Sequence, residues 1–211
     1  MTHLLLGSIG VLAETSEMQR DCFNAAFQEA GLDWHWSREV YAELLKTSGG
    51  RDRIARFAAE RGENVDADAV HRRKSELFQQ KLKEGLPLRD GVADALDRVK
   101  AKGGSVAFVT STSPDNVDAI LSATGLTRGD FDVVIDAEST DASKPDPAPY
   151  HRALEDLRIA PKDAFAVEDN PDGFAAARSA GLPTIAFPGV LHEASDFDGA
   201  IATQSTLSIP D

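Results

Sequence analysis

The run Ser105-Val106-Ala107-Phe108-Val109-Thr110-Ser111-Thr112-Ser113-Pro114 decides the fold. Its apolar part has no helical period, and it passes through hydroxyl side chains into a proline that opens a helix over 114–124. A buried strand that feeds a helix through such a turn is one unit of an α/β layer. The unit recurs along the chain. Helix 91–102 precedes it, and strand 131–135, helix 147–157, strand 164–167, helix 171–180 and strand 183–187 follow. Strands that alternate with amphipathic helices imply right-handed crossovers and a parallel sheet covered by helices on both faces.

Toward the start of the chain, residues 3–6 form another short apolar run, closed by Gly7 and Gly10, and this predicts a first, central strand. The next eighty residues have a different texture. From Ser16 to Ala30 the apolar residues Met18, Cys22, Phe23, Ala26 and Phe27 recur at helical spacing, and further helical patterns cover 37–46, 50–62 and 67–84. No strand candidate interrupts them. Residues 15–86 therefore read as a small all-helical cap domain inserted after the first strand, and 1–14 with 87–211 as the α/β core. There is no internal repeat, and the tail 203–211 carries no pattern.

A chain of 211 residues suffices for one substantial core with an insert. Acidic residues outnumber basic ones 35 to 22, a formal charge of −13 that opposes binding to nucleic acid or anionic lipid. The single cysteine, Cys22, excludes an internal disulfide, and no Cys/His cluster has zinc spacing. No basic leader with an apolar segment opens the chain, and no apolar run reaches membrane-spanning length. The expectation is a cytoplasmic protein.

Ligands of parallel sheets bind beyond the carboxyl ends of the strands. Gly7–Gly10, Thr110–Ser113 and Glu168-Asp169 each follow a predicted strand, so three separate segments converge on one crevice. Thr110, Ser111 and Thr112 offer hydroxyls and free N–H groups to an anion, or simply cap the helix. Lys144, held in the turn Lys144-Pro145-Asp146-Pro147, presents its ammonium to a phosphoryl group or a carboxylate, or stands in solvent. Glu168 and Asp169 repel each other and call for Mg²⁺ or Lys144 as compensation, unless Asp169 or Asn170 serves only as a helix cap.

Together these segments resemble the haloacid dehalogenase (HAD) superfamily, in its beta-phosphoglucomutase-like branch, and within it the CbbY type of sugar-phosphate phosphatase. The likeness extends over nearly the whole chain. It is carried by Ala13-Glu14-Thr15-Ser16-Glu17, Leu32-Asp33-Trp34, the stretch from Leu44 to Phe57 that includes Thr47-Ser48-Gly49-Gly50-Arg51, Lys144-Pro145-Asp146-Pro147, and Glu168-Asp169-Asn170 with Gly173, Ala175, Ala176, Ala180 and Gly181. The resemblance implies a Rossmannoid parallel-sheet core with a helical cap. It also implies Thr110 and Ser111 as phosphate-binding hydroxyls, Lys144 as the lysine of the site, and Glu168 and Asp169 as Mg²⁺ ligands. Gly50 and Arg51 would belong to a substrate-reading loop, Arg51 clamping a phosphate of a bisphosphorylated sugar.

The first loop departs from that pattern. The family reads Asp-x-Asp-Gly there, the first Asp as phosphoryl nucleophile and metal ligand, the second as general acid/base. Aligned on Gly10, the nucleophile position holds Gly7 and the acid/base position holds Ile9. Neither has the required chemistry. Gln19 stands where the family leads one to expect a histidine. Glu14 and Thr15 begin the linker to the cap, too far along the chain to replace the nucleophile. Three readings follow. The chain is a catalytically impaired pseudo-phosphatase that keeps a phosphosugar or protein ligand, or an active Mg²⁺-dependent hydrolase with another nucleophile, or an interaction module on a retained fold. The sequence does not name a protein partner.

Overall fold

Leu4, Leu5 and Leu6 are fully buried because strand β1 (His3–Gly7) runs through the middle of a parallel sheet, where both faces are covered. The computed structural model describes residues 2–46 and 49–210. After β1 comes a single-turn helix α1 (Ile9–Leu12), and then α2 (Ser16–Glu29), α3 (Arg38–Leu44), α4 (Gly50–Arg61) and α5 (Ala67–Leu82) follow with no strand among the described residues. From α6 (Val92–Ala101) onward strands and helices alternate: β2 (Val106–Val109), α7 (Pro114–Ala123), β3 (Val133–Ile135), α8 (Ala148–Leu157), β4 (Ala164–Glu168), α9 (Pro171–Ser179), β5 (Thr184–Ala186) and β6 (Ala202–Thr203). The sheet order is β3-β2-β1-β4-β5-β6, all parallel, with Leu6 opposite Phe108 on one side and Val167 on the other.

The period-two alternation of β1 divides the core into two layers. Leu4 and Leu6 pack with Val92, Leu96 and Val99 of α6 and Val117 and Ile120 of α7, whereas Leu5 faces Tyr150 and Leu154 of α8 and Ala176 and Ala177 of α9. Helix α6 shows why the sequence folds this way: Val92, Ala95, Leu96 and Val99 form a buried stripe, and its charged residues take the other face.

Helices α2 to α5 have an aromatic core of their own, built on Phe23, Phe27, Trp34, Trp36 and Tyr41. Phe27 and Trp36 meet edge-on with ring centroids 4.7 Å apart, and each such pair adds about 0.5–1.5 kcal/mol beyond its buried area. Asn24 fixes the entry to α3 by accepting from the Trp36 N–H at 2.8 Å and donating to its carbonyl at 3.0 Å.

Two elements differ from the sequence expectation. The first glycine loop contains the turn of helix α1, because the Ser8 hydroxyl accepts the N–H of Gly10 at 3.1 Å and caps it. The short strand β6 forms at the patternless tail, pairing Ala202 with Ile185; two residues are too few to show a period. Thr47 and Ser48, part of the loop that carries the family likeness, lie outside the described residues. Among the described residues no helix is long and apolar enough to cross a membrane.

Candidate functional site

The strands β1, β2 and β4 end along one edge of the sheet, and the segments that follow them line a cavity of about 440 Å³. Ser8, Ile9, Thr110, Ser111, Thr112, Lys144 and Asp169 form its lower wall. Residues of α2, α4 and α5 and the loop before α4, among them Gln19, Gly50, Arg51, Arg53, His71 and Lys74, form the wall opposite.

The first loop has no ionisable side chain. Ser8, just after Gly7, has φ 49° and ψ 158°, a conformation that costs a non-glycine residue about 1–3 kcal/mol. What holds it there is its bonding: its N–H donates to the Val109 carbonyl at 3.0 Å, and its hydroxyl donates to Asp169 Oδ1 while accepting from Gly10 N–H. Ile9 turns an apolar side chain toward the cavity and packs on the core below.

Glu168 ends β4 with no solvent exposure at all. Its Oε1 accepts from Lys144 Nζ at 2.5 Å and from the Tyr150 hydroxyl at 2.5 Å, and Lys144 Nζ donates also to the Val109 carbonyl at 2.8 Å. A Cβ built on Gly7 would collide with Glu168 Oε1 and with the Tyr150 hydroxyl. The space of a side chain at position 7 is therefore filled by a buried Lys144–Glu168–Tyr150 cluster. The other carboxylate oxygen, Oε2, has no partner and lies against Gly173 in the first turn of α9. Burial pushes the Glu168 carboxyl up, opposed by the Lys144 ammonium and reinforced by Asp169; burial also pushes the Tyr150 phenol well above its usual range.

Asp169 does face the cavity. Its Oδ1 accepts from Ser8 and from the Asn170 side chain at 2.8 Å. Asn170 in turn caps α9 by accepting from Gly173 N–H at 2.9 Å. This arrangement does not fit a Mg²⁺ ion, which takes about six oxygens, carboxylates foremost. Gly7 offers none, Glu168 does not line the cavity, and among the described residues no three Asp, Glu, His or Cys side chains group as a metal site.

The hydroxyl segment lies on the cavity wall. The Thr110 Oγ1 accepts from Thr112 N–H at 3.2 Å, the Ser111 Oγ accepts from Lys144 N–H at 3.4 Å, and the Thr112 Oγ1 accepts from Asn116 at 3.3 Å. On the opposite wall Arg51 is exposed and donates to Asp68 at 2.8 Å and Asp52 at 2.9 Å. The Cα of Gly50 sits so close to the His71 ring and Phe23 that a Cβ there would press into His71. Burial lowers the His71 pKa to about 4, so this imidazole is neutral at pH 7.

Sequence reasoning missed Lys74, Tyr150 and Arg89. Lys74 is buried between Phe23 and Phe78, with Nζ 4.8 and 4.9 Å from the ring centroids, and donates to Gln19 Oε1 at 2.8 Å. Burial pulls its pKa down to about 7. Gln19, the departure from the expected histidine, bridges Lys74 and the Thr15 hydroxyl. Tyr150 is six residues after Lys144, a spacing that places it on the first turns of α8 and back under the lysine. Arg89 donates to the carbonyls of Gly10, Phe187 and Pro188 and so ties the first loop to the end of β5. Glu14 accepts the N–H groups of Ser16 and Val190, which holds its carboxylate on the backbone.

Residues 10–187 match the sequence profile of the family described as haloacid dehalogenase-like hydrolase, a match that begins just beyond Gly7 and Ile9. The chain is 41% identical over 198 residues to Protein CbbY of Cereibacter sphaeroides, spanning 90% of this chain and 86% of that protein. It is 37% identical over 221 residues to the plasmid Protein CbbY of Cupriavidus necator, spanning 100% of this chain and 87% of that protein. The crystal structure of CbbY from Rhodobacter sphaeroides in complex with phosphate superposes with a TM-score of 0.89 at 38% identity, covering 97% of this chain and 93% of the other. A mutant of that CbbY in complex with xylulose-(1,5)bisphosphate gives the same score and identity. Sheet order and these matches agree: the chain belongs to the haloacid dehalogenase-like hydrolases, among their CbbY-like members.

Proposed function

We propose that this chain binds a phosphorylated sugar in the cavity at the strand ends and does not turn it over by the family's phosphoaspartate route. The observation that carries this reading is the filled space at Gly7, where Glu168 Oε1 and the Tyr150 hydroxyl stand in place of a nucleophile's side chain. A glycine has no atom to be phosphorylated, and Ile9 has no proton to give a leaving group. Loss of a nucleophile costs roughly 10⁴–10⁶ in rate in well-studied hydrolases, whereas Thr110, Ser111 and Arg51, which the resemblance assigns to phosphate, line the cavity. In this reading residues 15–86 act as a cap over the core formed by 1–14 and 87–211. Ser111 and Thr110 receive one phosphate, Arg51 reaches a second, and Lys144 serves the fold of the site through Glu168. A cytoplasmic location fits the single buried thiol, Cys22.

Xylulose-(1,5)bisphosphate, bound by a mutant of the R. sphaeroides relative, is the natural first ligand to try. Titration calorimetry with sugar mono- and bisphosphates, run beside a phosphate-release assay, tests the proposal. Saturable binding with no release above the buffer rate is the expected result, and Arg51→Ala weakens a bisphosphate more than a monophosphate. Sustained release contradicts the proposal.

A second reading rests on Ser8. Its hydroxyl lies on Asp169 at a strained strand-to-helix turn, the setting in which serine nucleophiles are presented. If release is observed and disappears in Ser8→Ala, the chain is a hydrolase with a serine nucleophile.

A further inference from the structure

In sites built on paired carboxylates, a divalent cation is what lets a phosphate approach: it cancels their charge and bridges to the anion. This cavity sets protein cations beside its carboxylates, Arg51 paired with Asp52 and Asp68 and Lys144 with Glu168. Arg51, Arg53, Lys74 and Lys144 line it against the carboxylates Asp52 and Asp169. Both histidines on the wall, His71 and His192, are shifted by burial toward their neutral forms. The two carboxylates at the end of β4 are each engaged from within the protein through one oxygen, Glu168 through Oε1 and Asp169 through Oδ1. Lys144 and Tyr150 donate to Glu168, which does not line the cavity, and Ser8 and Asn170 donate to Asp169 Oδ1. The absence of an acid at position 7 thus removes one carboxylate ligand of a metal, and the absence of acids at positions 7 and 9 lowers the repulsion that a metal would offset.

From this we infer that the cavity is a metal-independent site for phosphate esters, in which protein cations and hydroxyls do the work of a divalent ion. The inference rests on the phosphosugar-binding reading and sharpens it. It makes a prediction of sign for Asp169. In a metal-dependent site, removal of that carboxylate abolishes binding; here it removes a core carboxylate that lines the cavity and opposes the anion, and binding tightens.

The test uses the intact chain with a sugar bisphosphate and, separately, inorganic phosphate. Affinity is measured in EDTA and in millimolar Mg²⁺, for the unmodified protein and for Asp169→Asn. Mn²⁺ binding is followed in parallel by paramagnetic resonance. The expected outcome is the same affinity with and without Mg²⁺, a few-fold tightening in Asp169→Asn, and Mn²⁺ that stays free. An affinity that rises about tenfold or more with Mg²⁺, or is lost in Asp169→Asn, overturns the inference and leaves the binding proposal standing. No binding under any condition overturns the binding proposal itself. Asp169→Asn keeps an oxygen to accept from Ser8, and a thermal melt equal to that of the parent shows that the variant is folded.

Discussion

Strands β1 and β4 lie side by side in the sheet, Leu6 opposite Val167, yet their ends have opposite inventories. The end of β1 reads Gly7-Ser8-Ile9 and holds no charge. The end of β4 reads Glu168-Asp169 and holds two. In a site where both ends carry acids, the two share a common task. Here the β4 acids have lost their partners across the sheet and are held by other groups, Glu168 by Lys144 and Tyr150, Asp169 by Ser8 and Asn170. On the proposed reading, a retained motif here is not a retained function. Once one half of a site is gone, the other half persists for the structural bonds it makes.

If that account of β4 is right, the largest effect on stability comes from Lys144. Lys144→Met leaves the Glu168 carboxylate buried without its cation and costs roughly 3–5 kcal/mol in denaturant unfolding. The cost depends on pH. Glu168 has its folded-state pKa raised above the usual 4.5, and loss of Lys144 raises it further. The folded state then holds a proton that the unfolded state releases first, so stability is best near pH 4 and declines as pH rises from there through the folded pKa. Adding Glu168→Gln to Lys144→Met recovers most of the loss at pH 7. An additive double mutant would break the claim that the pair acts as a unit.

Lys74 supplies the next effect, of opposite sign. Its folded-state pKa of about 7 lies below the ordinary 10.5, so the unfolded state binds more protons between these values and stability rises with pH across that window. Lys74→Met therefore stabilises the protein at pH 6 by roughly 1–3 kcal/mol, with a benefit that shrinks toward pH 10. Thermal melts at the two pH values check it. A lysine charged and well solvated at pH 6 would show no such gain.

The smallest change is expected at Ser8. Ser8→Gly removes the hydroxyl that caps α1 and binds Asp169, but relieves a positive φ, so the two effects offset to within about 1 kcal/mol. Its value lies in contrast with Ser8→Ala, which loses the same bonds and keeps the strain. Equal melting temperatures for the two variants would contradict the strained backbone at this turn.

The sequence made the sheet readable because each strand run ends in a turn signal and each helix carries a buried stripe, as in Val92, Ala95, Leu96 and Val99. For the same reason the strand-end segments were found: strand ends are local features. The partners of Glu168 were not. Tyr150 reaches it across 18 residues and Lys144 across 24, and only the tertiary fold decides that the carboxylate turns under Gly7 and does not line the cavity. Lys74 was hidden in the same way, since its position in α5 shows nothing of Phe23 and Gln19 on α2, which come to it in space. A missing side chain at position 7 is plain in the sequence; what fills its space is a property of the fold.

The central claim, that the segment Gly7–Ile9 separates this site from a working phosphatase, is tested most directly by phosphate release from a sugar bisphosphate with Mg²⁺. Three proteins are compared: the unmodified chain, Gly7→Asp/Ile9→Asp, and the same double variant with Tyr150→Phe to clear the hydroxyl that crowds position 7. The account predicts no release from the first, a gain of roughly 10⁴-fold or more in at least one restored variant, and the higher rate in the variant without the Tyr150 hydroxyl. Release from the unmodified chain at a rate that restoration does not improve would contradict it.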